Sequence, residues 1–347
     1  MTNLYSCTID SWQNQNKGRS ITLFLSAGFE DRARTAAVFL GKRSSLVPAS
    51  AVVLDYEDLE TNGPNRDKVI GVLKNSFSIV DVIKLPEIEK ALSLCEERSM
   101  KGDIILVDIS GMSRILIFKV LNYLISSNIP FQIVYTEAET YYPNKSFYKK
   151  LRLAYEKGET KLLDEYQKLE QSEVIYSYDC EVDLPSEFRG RPEPGRPSVL
   201  IAFLTFKRSR LQTILRAFEF SNRILIVGEP VREDLRWRKE LLALINYDLI
   251  KKRPTETKTL FTLDPFLISK NLEEYLEDQT LRKSNIYLAP LGSKMQTVGA
   301  FLFWRRHPEI SIVFSQPKRY FRDKFSRNSR DTFVVTYDKL VEAIKTS

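Results

Sequence analysis

Short runs of consecutive apolar residues alternate along the chain with stretches whose apolar positions recur every three or four residues. Residues 21–26 (ITLFLS), 51–54, 104–108 (IILVD) and 131–135 have the length and β-branched content of buried strands. The intervening stretches 31–40, 66–74, 87–97 and 113–125 carry helical spacing. Strands alternating with helices of this length predict parallel βαβ units and a doubly wound sheet. The second half repeats the order, with strands expected at 199–206, 224–227, 286–289 and 310–314.

The spacing repeats as well as the order. Adding 180 to a first-half number places 21–25 on 201–205, Ser113-Arg114 on Ser293-Lys294, and Ile133-Val134 on Val313-Phe314. The fold class expected is therefore α/β, with two tandem Rossmann-like, doubly wound parallel-sheet domains that arose by internal duplication. The first domain is expected over 1–144 and the second over 198–347. Between them, 145–171 reads as a charged helix packing across the junction, and 184–197 (LPSEFRGRPEPGRP) as an extended connector, because proline lacks an amide donor and restricts its predecessor.

Charge separates the halves. The 347 residues carry a formal net charge of +7. Residues 1–180 hold 22 Lys and Arg against 24 Asp and Glu, whereas residues 181–347 hold 30 against 21, so the basic excess lies in the second half. Cys7, Cys95 and Cys180 have no metal-ligand spacing, and His307 is the only histidine, which argues against zinc sites and histidine-based triads. No apolar run approaches a membrane span, and the polar first twenty residues do not read as a secretory signal, so a cytoplasmic protein without membrane contact is expected.

Ligands of doubly wound sheets bind beyond the C-terminal ends of the strands, where loops enter helix N-termini. After the first strand come Ser26, Ala27, Gly28 and Phe29, then Glu30 and Asp31; the second copy has Lys207, Arg208, Ser209 and Arg210 there instead. Cations at a helix N-terminus oppose the helix dipole, so a bound phosphate or a nearby carboxylate is expected to compensate them. After the later strand, Asp108, Ser110, Gly111, Met112, Ser113 and Arg114 in one copy answer to Pro290, Leu291, Gly292, Ser293 and Lys294 in the other. A glycine exposing backbone amides, a capping hydroxyl and a following cation together make an anion cradle.

The turn Asp108–Arg114 resembles that of the CARF-type Rossmann-like sensor domains of CRISPR-associated antiviral systems, roughly Asn/Asp-x-Thr-Gly-Gly-Thr-Lys. Asp108, Ser110, Gly111, Ser113 and Arg114 match it, with Met112 in place of the second glycine; Gly292, Ser293 and Lys294 match in the second copy, where Pro290 and Leu291 depart. The resemblance implies that Ser26, Gly28, Ser110, Gly111, Ser113 and Arg114 form one cradle, and Lys207, Arg208, Gly292, Ser293 and Lys294 the other. It also implies a nucleotide-messenger sensor of prokaryotic antiviral defence, with an effector protein as a further partner. The leading expectation is thus a nucleotide- or phosphate-binding protein without a cofactor or metal.

Two other readings stay open. Asp108, Glu137 and Glu139, all at expected strand ends, are the acidic groups that would hold Mg²⁺ or act as a base in a hydrolase acting on phosphodiester or nucleoside bonds. Alternatively, Lys318, Arg319 and Arg322, interleaved with Tyr320 and Phe321, would contact phosphates and stack on bases, making the chain a nucleic-acid- or protein-docking subunit of a defence complex.

Overall fold

The computed structural model describes residues 7–43, 45–57, 59–158, 180–252, 254–317 and 326–345, and they fall into two compact units. The first comprises Met1–Tyr142 with Phe321–Ala343, the second Pro143–Tyr320 with Ile344–Ser347. Both are α/β units built on a parallel sheet, as the alternation of apolar runs and helical spacing predicts.

In the first unit, β2 (Ser20–Ser26), β3 (Val47–Asp55), β4 (Ile79–Lys84), β5 (Ile104–Asp108) and β6 (Phe131–Thr136) lie parallel. Their order across the sheet is β6-β5-β2-β3-β4. β2 is central, with Leu25 beside Asp108 and Ser26 beside Leu54. Six of its seven residues are buried, because helices cover both faces of a parallel sheet. Reversal of the strand order at β2 and β5 leaves a crevice at their C-terminal ends, the usual ligand position in this architecture.

Two further strands were not foreseen on this sheet. Thr332–Thr336 pairs antiparallel with β6, and β1 (Cys7–Thr8) pairs antiparallel with it in turn. The C-terminal segment therefore completes the first unit, where a second domain running from 198 to 347 was expected. The cause is legible in the packing: Val334 and Val335 are buried on β6, and Thr136 and Thr332 share a hydroxyl hydrogen bond of 2.9 Å.

Two short strands, β7 (Thr140–Tyr141) and β8 (Cys180–Asp183), lie outside the two large sheets, and the second unit otherwise repeats the arrangement. Strands β9 (Ser198–Phe203), β10 (Asn222–Glu229), β11 (Glu256–Phe261), β12 (Asn285–Ala289) and β13 (Ser311–Ile312) are parallel and ordered β11-β10-β9-β12-β13, the same sequence of positions as in the first unit. The helix after the fourth strand of each runs Arg114–Ser126 and Lys294–Arg306, so both its ends differ by 180. In the second unit that helix is buried over Met295–Trp304.

The edge strands β4 and β11 escape a reading based on apolar runs. Each leaves most of its positions exposed or half-buried, so polar residues interrupt the expected pattern. The stretch 184–197 is not a free connector either. Phe188 is fully buried against Trp304 and Phe314, and Asn285 holds the backbone of Glu193 at both its amide and its carbonyl. The helix Lys145–Glu156, expected to span the junction, packs inside the second unit, where Tyr148 and Leu151 meet Leu241 and Ile245. Among the described residues no helix is long and apolar enough to cross a membrane.

Candidate functional site

In the first unit the loops after β2 and β5 meet at the crevice, and their glycines explain how. A Cβ on Gly28 would lie 2.6 Å from the Gly111 carbonyl oxygen, and one on Gly111 would lie 2.5 Å from that of Ser26. Both glycines permit loop-to-loop packing, a different use from the ligand approach expected of them. Met112 turns into the core at 1% exposure and so does not obstruct the crevice.

Polar groups lock the same loops. The Asp108 carboxylate accepts from the Ser110 amide at 2.8 Å, and the Ser110 hydroxyl accepts from the Thr136 amide at 2.9 Å. Ser113 caps the helix by accepting from the Leu116 amide, while its own amide donates to the Tyr56 hydroxyl at 2.8 Å. Tyr56 in turn donates to the Gly111 carbonyl at 3.3 Å. The Ser113 amide, which the cradle would have offered to an anion, is thus engaged by the protein. Arg114 opens the helix, half-buried, and Ser26 is buried with its hydroxyl unpartnered.

The acidic residues of this unit are spread among separate partners. Glu30 forms a two-pronged ion pair with Arg32 at 3.0 and 3.1 Å and accepts from the Ser326 hydroxyl at 2.5 Å. Arg32 also donates to the Tyr135 hydroxyl at 3.0 Å and the Thr136 carbonyl at 3.3 Å. Burial works to lower the Arg32 pKa, but Glu30 and the phenols of Tyr135 and Tyr141 outweigh it, so Arg32 stays above its ordinary value. The Glu137 backbone pairs with Arg330 and Asp331, and Glu139 accepts from Asn328 at 2.9 Å. Among the described residues Asp108, Glu137 and Glu139 do not converge into a group able to hold a metal ion.

The second unit differs in kind at the equivalent edge. Ser293 and Gln296 form a reciprocal capping box: the Gln296 amide donates to the Ser293 hydroxyl, and the Ser293 amide donates to Gln296 Oε1 at 2.9 Å. The Ser293 hydroxyl donates to the Thr262 carbonyl at 2.6 Å. Gly292 makes room for this cap, since a Cβ there would sit 2.1 Å from Gln296 Oε1. Lys294 is the first residue of the helix so capped. Here too the glycine and the serine serve the helix start.

The cations after β9 are the unusual part. Arg208, 3% exposed, pairs with the exposed Asp248 through one nitrogen, while its Nε and Nη1 have no hydrogen-bond partner. Arg210, 5% exposed, has an unpartnered Nε, and among the described residues no carboxylate reaches ion-pair distance of it. Lys207 lies half-buried beside them in the same turn. Arg210 faces Cys180, whose thiol burial pushes above its ordinary value against the pull of Arg210 and Lys207. Buried Asn246 Oδ1 also lacks a partner, and the Asn246 amide holds the Thr205 carbonyl in the loop before Arg208.

Reading the sequence brought Lys207, Arg208 and Arg210 to this edge but passed over the roles of Asn246, Tyr56 and Arg32. Only the Gln296 cap left a local signal, a Ser-x-x-Gln spacing at a helix start. Lys318, Arg319 and Arg322 lie outside the described residues.

No protein-family model matches the chain, and no curated protein matches it. Among solved structures it is similar to a Type III CRISPR defence DNA nuclease activated by cyclic oligoadenylate, with a TM-score of 0.48 and 10% identity over 82% of this chain. The chain spans 64% of that protein's length. It is also similar to the cytoplasmic domain of a prokaryotic cation chloride cotransporter, with a TM-score of 0.21 and 9% identity, covering 86% of this chain and 95% of the other.

Proposed function

We propose that the chain is a binding protein for a phosphate-bearing ligand of the nucleotide class, taken at the strand ends of the second unit by the turn that carries Lys207, Arg208 and Arg210. One observation carries the reading: Arg210 is buried with no carboxylate at ion-pair distance among the described residues. An uncompensated buried charge costs several kcal/mol, and proteins tolerate one where a partner neutralises it. Phosphate oxygens accept guanidinium N–H groups, and Arg208 keeps Nε and Nη1, on opposite edges of its guanidinium, without hydrogen-bond partners.

The position agrees with the fold. The turn leaves β9, the central strand, next to the loop after β12, and ligands of doubly wound sheets lie at this reversal of strand order. The likeness of Asp108–Arg114 to the CARF-type turn extends the proposal to a nucleotide messenger sensed in prokaryotic antiviral defence.

The test is a melting-temperature screen of the whole chain against mononucleotides, oligoadenylates and pyrophosphate. The expected result is a saturable rise with at least one nucleotide, lost in the Arg208→Ala/Arg210→Ala double variant. No rise with any of these compounds defeats the proposal.

A further inference from the structure

The two units present the same edge in opposite states of charge. In the second unit the turn after the central strand holds Arg208 and Arg210 buried, with guanidinium nitrogens unpartnered. In the first unit the turn after the central strand holds Arg32, 8% exposed in its side chain; its Nε is likewise unpartnered, but Glu30 lies on Nη2 through both carboxylate oxygens. The Glu30 carboxylate, itself 11% exposed, accepts a hydroxyl from Ser326 as well, and the loop carrying it is pinned by Asn65, whose amide donates to the Gly28 and Glu30 carbonyls. A guanidinium N–H with a serine hydroxyl beside it is a donor set suited to a phosphate oxygen, and here a side-chain carboxylate takes it through Arg32 Nη2.

We infer that Glu30 occupies the anion position of the first unit as a built-in counter-ion, so that the chain takes one phosphate group, at Arg208 and Arg210 of the second unit, and none at Arg32. This rests on the proposed phosphate site of the second unit and adds which unit binds, and with what stoichiometry. The inequivalence follows from one exchange along the chain: at the 180-residue offset Glu30 answers to Arg210.

Titration calorimetry of the full chain with inorganic phosphate tests it. Wild type is expected to bind one equivalent, and Arg208→Ala/Arg210→Ala none. Glu30→Ala, which removes the carboxylate and leaves space beside Arg32, is expected to bind two, with the second lost again in Glu30→Ala/Arg32→Ala. One equivalent in wild type that stays one in folded Glu30→Ala overturns the inference and leaves the second-unit site standing. Two equivalents in wild type, or an equivalent that survives Arg208→Ala/Arg210→Ala, overturn it without recourse to a Glu30 variant. No phosphate bound by wild type overturns the second-unit site itself, and the inference with it.

Discussion

Replacing Arg210 by methionine separates a ligand-binding cation from a structural one, because the two roles predict opposite signs. If Arg210 waits for an anion, it is a liability in the ligand-free protein: 5% exposed, with an unpartnered Nε and no carboxylate within reach among the described residues. Methionine keeps the unbranched apolar stem that packs below the guanidinium and removes the charge. Exchanges of buried charged groups for apolar ones of similar volume are neutral or stabilising by about 1–4 kcal/mol. In a unit of this size, about 1 kcal/mol corresponds to roughly 2–4 °C in Tm, so the ligand-free variant should melt as high as wild type or up to ~16 °C higher. A ligand at a hundred times its Kd adds about 2.7 kcal/mol to wild type and nothing to the variant. The order of the two melting curves should therefore close up or invert as nucleotide is added, which differential scanning calorimetry with and without ligand reads directly. A ligand-free Arg210→Met that melts well below wild type, with an undiminished ligand response, would sink the reasoning, since it would make Arg210 a structural group.

Other perturbations report on the loops around the site. Gly111→Ala sets a methyl 2.5 Å from the Ser26 carbonyl oxygen and should lower the urea midpoint by an amount corresponding to about 1–3 kcal/mol, whereas an unchanged midpoint would show that the two loops separate freely. Ser293→Ala removes the hydroxyl that accepts from the Gln296 amide and donates to the Thr262 carbonyl, and should cost about 1 kcal/mol or somewhat more in the same assay. Glu273 sets an acid limit. Burial pushes its pKa up, but hydrogen bonds from Arg306 and His307 outweigh this and hold it below the ordinary carboxylate value. Its contribution to stability is then fully present above the unfolded value of about 4.3 and is lost as pH falls through the lower folded value. Denaturation midpoints measured from pH 6 down to pH 3 should fall less steeply in Glu273→Gln than in wild type, and parallel slopes would refute the assignment.

How much of this was legible in the sequence depends on the range over which each feature is determined. The central strands announce themselves, because ITLFLS and VLIAF are buried on both faces and can tolerate little polarity. The helix pair 180 residues apart is equally plain, since its apolar spacing and serine start are local. Edge strands β4 and β11 are not, because half their surface faces solvent and their residues satisfy two environments at once. The strand Thr332–Thr336 was not foreseen, and its membership of the first sheet depends on β6, some two hundred residues earlier. At the site, residue type pointed to anions at Lys207 and Arg208, and the glycines pointed to ligand approach. The first depends on the charge carried by one turn, which a sequence displays. The second depends on what stands opposite each glycine, and for Gly28 and Gly292 that is Gly111 and Gln296. Likewise Glu30 and Arg32 look like a helix start in the sequence, and only the fold reveals one as the counter-ion of the other.

The return of Thr332–Thr336 to β6 has a consequence for biosynthesis. Every described strand of the second unit's sheet leaves the ribosome before the first unit receives its strand beside β6. Until then Phe131–Thr136 presents an unpaired edge on a nascent chain, the kind of surface that invites wrong partners. Domains made in sequence usually fold in the order of their synthesis; here the sheet begun first is completed last. A chain ending before residue 332, arrested on the ribosome behind a C-terminal spacer long enough to clear the exit tunnel, should therefore display a native second sheet and a first unit still open along β6, and pulse proteolysis would catch it in that state.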